Sequence, residues 1–161
     1  MLSAASGRRP READMQLVVR NPYDESVVCE VRSDHARRDE LLAGLVAAQE
    51  AWRWVPLAER VAAIEPALAL FETEREAIAR DITLQMGKPI REARGEVDTC
   101  LMRARHMLSI AVASLQDDVL PELPGIERRI RHEPLGVVLN LVAWNYPLLI
   151  PINLVIPALA A

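Results

Sequence analysis

The sequence predicts an α/β protein whose elements run in the order hairpin, three helices, exposed strand, buried strand and final helix. Three observations carry this prediction. Short β-branched runs come first, long stretches then place apolar residues at helical spacing, and the continuous apolar run GVVLNLVAW at 136–144 is typical of a parallel strand buried on both faces. Because a helix is predicted directly after that run, the last two elements should form half of a βαβ unit.

The composition indicates one globular domain and argues against some classes of function. The 161 residues are 51% hydrophobic and 26% charged, which is a globular profile. The net charge of −4 gives no basic surface for nucleic acid, so no nucleic-acid partner is expected. The N-terminus lacks the apolar segment of a secretion signal, and the cytoplasm is the expected location.

Cysteine and histidine usage argues against disulfides and metal. Cys29 and Cys100 are too isolated for a disulfide framework, which favours a reducing compartment. His35, His106 and His132 are too widely separated for a local ligand spacing. No metal site is therefore predicted, and both cysteines are expected to be packing residues.

A membrane span is an alternative, because 135–161 carries no charged residue and exceeds the ~20 residues that cross a bilayer. Prolines and asparagines interrupt this run and would leave backbone and amide groups unsatisfied in hydrocarbon. They are Pro147, Pro151, Pro157, Asn140, Asn145 and Asn153. No membrane partner is therefore expected.

The first elements follow from turn residues and periodicity. Residues 1–15 are polar and should form a flexible arm. The runs QLVVR and VVCEV, separated by NPYDES, predict a hairpin. Ser33 or Asp34 is then expected to cap a first helix that ends before Pro56.

Two further helices are predicted before the second half of the chain. A single long helix should run from Leu57 to a stop at Gly87, with the patch FETERE on its solvated surface. A third helix should follow MGKP. Its predicted apolar stripe is Ile90, Ala93, Val97, Leu101, Ala104, Leu108 and Ala111.

The segment IERRIRHE at 126–133 alternates like an exposed strand, and its three arginines are expected at a solvated strand edge rather than an anion site. After the buried strand, Pro147 or Pro151 suits the first turn of the last helix. Asn145 lies at this strand-to-helix junction, where open α/β sheets bind ligands. Its amide could donate to an oxygen that acquires negative charge, or it could cap the helix.

A resemblance to a known family covers residues 17 to 161. The stretch EPLGVVLNLVAWNYPLLIPINLVIPALAA resembles the aldehyde dehydrogenase segment that runs EPLGVV…PWNFP…PALAAGN, and ITLQMGKPIREARGEVD resembles the family signature EMGKP…EARGEV. The opening hairpin and AAQEAWRWVPLAERVAAI are also similar. The resemblance implies an aldehyde dehydrogenase-like α/β fold. The hairpin, helices and connecting strand at 16–134 should lead into the start of an incomplete Rossmann-like cofactor domain at 135–161.

The resemblance also implies functional residues. Asn145 matches the family's oxyanion-stabilising asparagine. The strand end that contacts NAD or NADP, largely through its backbone, matches Leu141, Val142, Ala143 and Trp144. The residues that match the lining of the aldehyde tunnel are Tyr146, Ile150 and Asn153. In the family a cysteine thiolate attacks the aldehyde, a hydride passes to the cofactor and the thioester is hydrolysed.

The chain departs from the family pattern at three positions. Ala143 replaces the proline before Trp-Asn, and Leu154 replaces a basic residue that many members carry, which puts a proton relay during hydrolysis in question. Glu25 stands where the hairpin turn usually has glycine, so that turn is expected to differ.

The family continues beyond PALAA to its nucleophilic cysteine and general-base glutamate, and neither Cys29 nor Cys100 matches that nucleophile. We therefore expect an N-terminal portion of an enzyme that oxidises an aldehyde to a carboxylic acid, inactive alone and homo-oligomeric when full-length. A non-catalytic interaction or oligomerisation protein derived from the same fold is the alternative. An apolar patch without partners is expected at Val137, Val138, Leu139, Leu141, Leu149, Leu154 and Ile156.

Overall fold

The computed structural model describes residues 16–32 and 34–161. The predicted arm at 1–15 and the candidate cap Ser33 lie outside this part of the chain. The hairpin prediction is confirmed: β1 (Gln16–Arg20) and β2 (Val27–Arg32) pair antiparallel, with an irregularity between Val19 and Arg20. Glu25, in the turn between the strands, has φ +60°, a left-handed conformation that glycine adopts more readily.

Helix α1 (Arg38–Trp52) ends before Pro56, as predicted, but its start differs from the prediction. A 3-10 turn at His35–Arg37 precedes it, and Arg37 is the N-cap residue without a side-chain hydrogen bond. The predicted cap by Asp34 is therefore wrong, because the chain tightens into the 3-10 turn and Asp34 contributes its backbone carbonyl to Arg37 N–H instead.

The predicted long helix is two helices, α2 (Leu57–Thr73) and α3 (Arg75–Met86), which meet at Glu74. Glu74 leaves helical geometry with φ −92° and ψ 10°. The break lets α2 pack against α4 and α5 while α3 packs against α4 and β1. The predicted stop at Gly87 is confirmed: it has φ +76°, and a Cβ there would lie 3.0 Å from Pro22 Cγ in the hairpin.

Helix α4 (Ile90–Leu115) is the centre of the core, and its predicted stripe is confirmed. Six of the seven stripe positions are buried, and Ile90 packs at their edge. The partners from other helices are Ile64, Leu68, Ala79, Ile82, Ile156 and Ala160. Small residues alternate with Val97, Leu101 and Leu108, which lets the neighbouring helices approach α4 closely.

The second half of the chain has less β structure than the sequence predicts. Within 126–133 only β4 (Arg129–Ile130) is a strand, paired with β3 (Asp118–Val119). The predicted solvated edge is confirmed for Arg129 and Arg131, which are exposed and pair with carboxylates, whereas Arg128 is half-buried and donates to the Pro121 carbonyl.

The predicted buried strand at 136–144 is wrong as an element of this structure. The segment is not part of a strand, and Leu139, Leu141 and Trp144 are more than 80% exposed. A strand requires a neighbour to accept its backbone hydrogen bonds, and no described segment lies beside this one in a ladder.

Helix α5 (Leu149–Ala160) follows, with Pro151 in its first turn as predicted. Ile156 is buried against α4 and Leu149 is half-buried, so these two do not belong to the expected apolar patch. The predicted domain boundary falls between residues 134 and 135, and α4 before it packs against α5 after it. The boundary therefore stays a prediction. None of the helices in the described ranges combines the length and apolarity needed to cross a membrane.

Candidate functional site

The turn at 144–148 carries the candidate catalytic amide. Asn145 is exposed and lies in the turn before α5, which begins at Leu149. The capping alternative is wrong, because the N-cap residue of α5 is Leu148 and no side chain of the helix start caps it locally. The Asn145 side chain is therefore left available at the surface.

A carboxylate from α4 takes over the capping role. Glu96 Oε1 accepts hydrogen bonds from Leu148 N at 3.0 Å and from Leu149 N at 3.1 Å. The Glu96 side chain is only 1% exposed. A negative charge at a helix N-terminus satisfies its free N–H groups and interacts favourably with the helix dipole.

Lys88 joins this carboxylate to the turn. Its ammonium pairs with Glu96 Oε2 and donates a hydrogen bond of 2.8 Å to the Asn145 carbonyl. The same Nζ lies 3.9 Å from the centre of the Tyr146 ring, which is within cation–π range. Neither Lys88 nor Glu96 was predicted from the sequence as a site residue. Both belong to the MGKP…EARGEV signature, which was the available signal.

The three candidate tunnel residues lie on one stretch of chain but enclose no tunnel among the described residues. Tyr146 is half exposed and Ile150 is half-buried. Asn153 is held in place: its Nδ2 donates to the Leu149 carbonyl at 2.6 Å, and its Oδ1 accepts from Arg103 at 3.3 Å. A tunnel would need walls from outside these residues.

A pocket of about 380 Å³ lies beside the turn. Trp144, Pro147 and Leu148 form one wall, and residues of α3 with Val19 of β1 form the other. Its polar lining comes from Asp81 and Gln85. Tyr146, Ile150 and Asn153 do not line it, so this pocket is not the predicted tunnel.

The candidate cofactor segment has an open backbone. Leu141, Val142, Ala143 and Trp144 are exposed, and none of their backbone groups hydrogen-bonds another backbone group among the described residues. Such free N–H and C=O groups fit a ligand that is bound through the main chain, as the resemblance implies for NAD or NADP.

Cys100 does not have the environment of an activated nucleophile. Burial raises the pKa of Cys100 to about 11, with a further contribution from the nearby Glu96 charge, so its thiol stays protonated at neutral pH. Cys29 lies on β2 in the hairpin. The described residues also bring no three His, Cys, Asp or Glu side chains together as a metal site.

Comparison with known proteins identifies the family. The family described as "Aldehyde dehydrogenase family" matches residues 9–161. Malonate-semialdehyde dehydrogenase 2 of Shouchella clausii is 31% identical over 153 residues, which is 92% of this chain and 31% of that protein. The chain thus spans about a third of the length of the curated relatives it matches.

Solved structures agree with this match. PnpE from Pseudomonas sp. WBC-3, whose structure also exists in complex with nicotinamide adenine dinucleotide, matches with TM-score 0.83 and 29% identity over 91% of this chain and 30% of its own. An NADP-dependent glyceraldehyde-3-phosphate dehydrogenase of Bacillus halodurans, complexed with NADP, has TM-score 0.81 at 25% identity, with 91% of this chain and 32% of its own covered. The predicted fold class is therefore confirmed, and the chain belongs to the aldehyde dehydrogenase family.

Proposed function

We propose that the protein oxidises an aldehyde to a carboxylic acid with NAD or NADP, and that Asn145 stabilises the oxyanion. Family membership supports the reaction class, and relatives whose structures hold either dinucleotide support the cofactor. The observation that carries the role of Asn145 is its exposed side chain on a turn whose backbone is held by Lys88 and whose helix is capped by Glu96.

The chemistry assigns distinct roles to the residues around the turn. The Asn145 amide donates a hydrogen bond to the aldehyde oxygen, and this bond strengthens as the oxygen becomes an alkoxide. The free backbone groups at 141–144 bind the dinucleotide, which supplies the acceptor for the hydride. Tyr146, Ile150 and Asn153 contribute one side of the aldehyde path.

The nucleophile lies outside these 161 residues in this proposal. Cys100 is buried with a raised pKa, and Cys29 belongs to the hairpin rather than to the turn that carries Asn145. The 161-residue chain alone should therefore not oxidise an aldehyde. The exposed apolar side chains at 139–144 favour a second candidate, a non-catalytic protein that associates through this surface.

Substitution of Asn145 tests the proposal in the complete protein. Asn145→Ala should lower kcat/KM by roughly 10²-fold or more, because it removes a donor that acts mainly in the transition state. Asn145→Asp keeps the size but loses the N–H donor and should be similarly impaired. The dissociation constant of the cofactor should change little, because the backbone at 141–144 remains.

Asn140→Ala is the matched control, since it removes an amide from the same segment outside the turn, and its kcat/KM should stay near that of the unmodified protein. Thermal stability is measured on all three variants. Unchanged turnover of Asn145→Ala would contradict the oxyanion role, and a lack of aldehyde turnover by the unmodified complete protein would favour the non-catalytic alternative.

A further inference from the structure

The Lys88–Glu96 pair is the only described ion pair with both side chains nearly buried, at 9% and 1% exposure. The other pairs between α4 and its neighbouring helices are about half exposed, as Arg94 and Glu76 show at 43% and 54%. A buried pair costs desolvation energy that apolar packing would avoid. Stability alone therefore does not explain why these two charged residues occupy a buried position.

The two side chains act on opposite ends of the same turn. Lys88 holds the peptide carbonyl of Asn145, and Glu96 holds the N–H groups of Leu148 and Leu149 through one carboxylate oxygen. Because Lys88 also contacts the other carboxylate oxygen, the two anchor points are connected through two side chains from outside the turn.

All the polar contacts of Lys88 are directed at this site. Two go to oxygens of Glu96 and Asn145, and the third interaction is with the ring of Tyr146, the residue after Asn145. The position of the ammonium therefore defines where the backbone of 145 and 146 lies. The Asn145 side chain makes no hydrogen bond of its own among the described residues. The direction in which its amide points therefore depends on the backbone of the turn.

We propose that Lys88 and Glu96 are positioning residues that orient the Asn145 amide toward the reacting aldehyde oxygen. This inference rests on the proposed aldehyde oxidation. A reacting group that is misplaced by about 1 Å can lose roughly 10²-fold in rate. Loosening the turn should therefore lower kcat while the global fold is kept.

A double-mutant cycle in the complete protein tests this coupling. Lys88→Met removes the ammonium and keeps an unbranched side chain of similar length, and it should lower kcat/KM by roughly 10- to 100-fold. In the Asn145→Ala background the same substitution should cause no further loss, because the group that Lys88 positions is already absent. The dissociation constant of the cofactor should be unchanged.

Amide hydrogen exchange supplies a readout that does not depend on turnover. In Lys88→Met the amides of Leu148 and Leu149 should exchange faster, while those of α4 keep their protection. If Lys88→Met does not fold, Glu96→Gln takes its place in the cycle, since the amide oxygen can still accept the two N–H groups but the charge that Lys88 pairs with is gone. The control is Asp98→Asn, which should leave kcat/KM unchanged. Asp98 lies two residues after Glu96 on α4 and pairs with Arg75 instead of with Lys88.

The outcomes separate the two proposals. If Asn145→Ala itself leaves turnover intact, the proposed oxyanion role of Asn145 fails, and with it the positioning role. If Asn145→Ala is impaired but Lys88→Met costs nothing, or costs the same factor with and without the Asn145 amide, the oxyanion role stands and the positioning role is overturned.

Discussion

At the scale of single residues, Lys88 and Glu96 hold the backbone of the turn that carries Asn145. Lys88 and Glu96 contact Asn145 and the start of α5 through backbone atoms, so the identities of the turn residues do not reveal the contact. The Asn145 side chain stays exposed because another residue caps the helix. This is why capping and oxyanion roles could not be separated from the sequence.

Glu25 provides a test of backbone strain at one residue. A non-glycine residue in the left-handed region destabilises the folded state by about 1–2 kcal/mol. Glycine removes this strain but loses roughly 0.5–1 kcal/mol of stability, because it has more conformational freedom in the unfolded chain. Glu25→Gly should therefore raise the free energy of unfolding by up to about 1.5 kcal/mol, measured by urea denaturation. The backbone bond from Glu25 N–H to the Asn21 carbonyl is kept in the variant.

Glu25→Ala is the control, because alanine keeps the Cβ and with it the left-handed cost. The conformational explanation would be wrong if alanine stabilised the protein as much as glycine.

At the scale of elements, ion pairs connect α3 to α4. A hydrogen bond from Arg75 lowers the pKa of the Asp98 carboxyl, and a hydrogen bond from Arg94 lowers the pKa of Glu76. The charged residues of the patch FETERE are at the surface, as predicted, but three of them are paired with residues of α4: Glu72, Arg75 and Glu76. These contacts are about half exposed and lie between helices that the core already holds together.

The lowered pKa of Asp98 predicts a pH dependence of stability. Its pKa in the folded protein lies below the ordinary value of 3.8, so the folded state binds fewer protons than the unfolded state near that pH. The contribution is present above pH 3.8 and is lost as the pH falls through the lower folded value. Asp98→Asn should therefore be less stable than the unmodified protein at pH 7, and the difference should disappear in strong acid.

Urea midpoints across a pH series measure this difference, and Glu122→Gln in the loop after β3 is the control. A difference between Asp98→Asn and the unmodified protein that stays constant down to pH 2 would show that the ion pair does not cause it.

At the scale of the whole molecule, the 161-residue chain exposes a large apolar surface. Leu139, Leu141 and Trp144 are 82%, 84% and 83% exposed, and an apolar groove of about 400 Å³ lies between α1, α5 and residues 136–138. Exposed apolar patches of this kind promote association. The chain alone should therefore form oligomers or aggregates, which light scattering detects.

The variant Leu139→Lys/Leu141→Lys should associate less. Leu70→Lys, at a 59% exposed position on α2, is the control and should associate like the unmodified chain. A monodisperse monomer of the unmodified chain would contradict the prediction. Homo-oligomerisation of the complete enzyme is a separate expectation that stays a prediction.

The sequence by itself determined the elements whose pattern is local. The hairpin, the α4 stripe and the stop at Gly87 follow from alternation, helical periodicity and turn chemistry within a few residues, and the signature motifs identified the family. The tertiary structure decided the break at Glu74, the unpaired state of 136–144 and the contact of Lys88 with Asn145. A strand depends on a neighbouring strand, and a contact between residues 57 positions apart depends on the path of the chain. Neither produces a periodic pattern in the sequence.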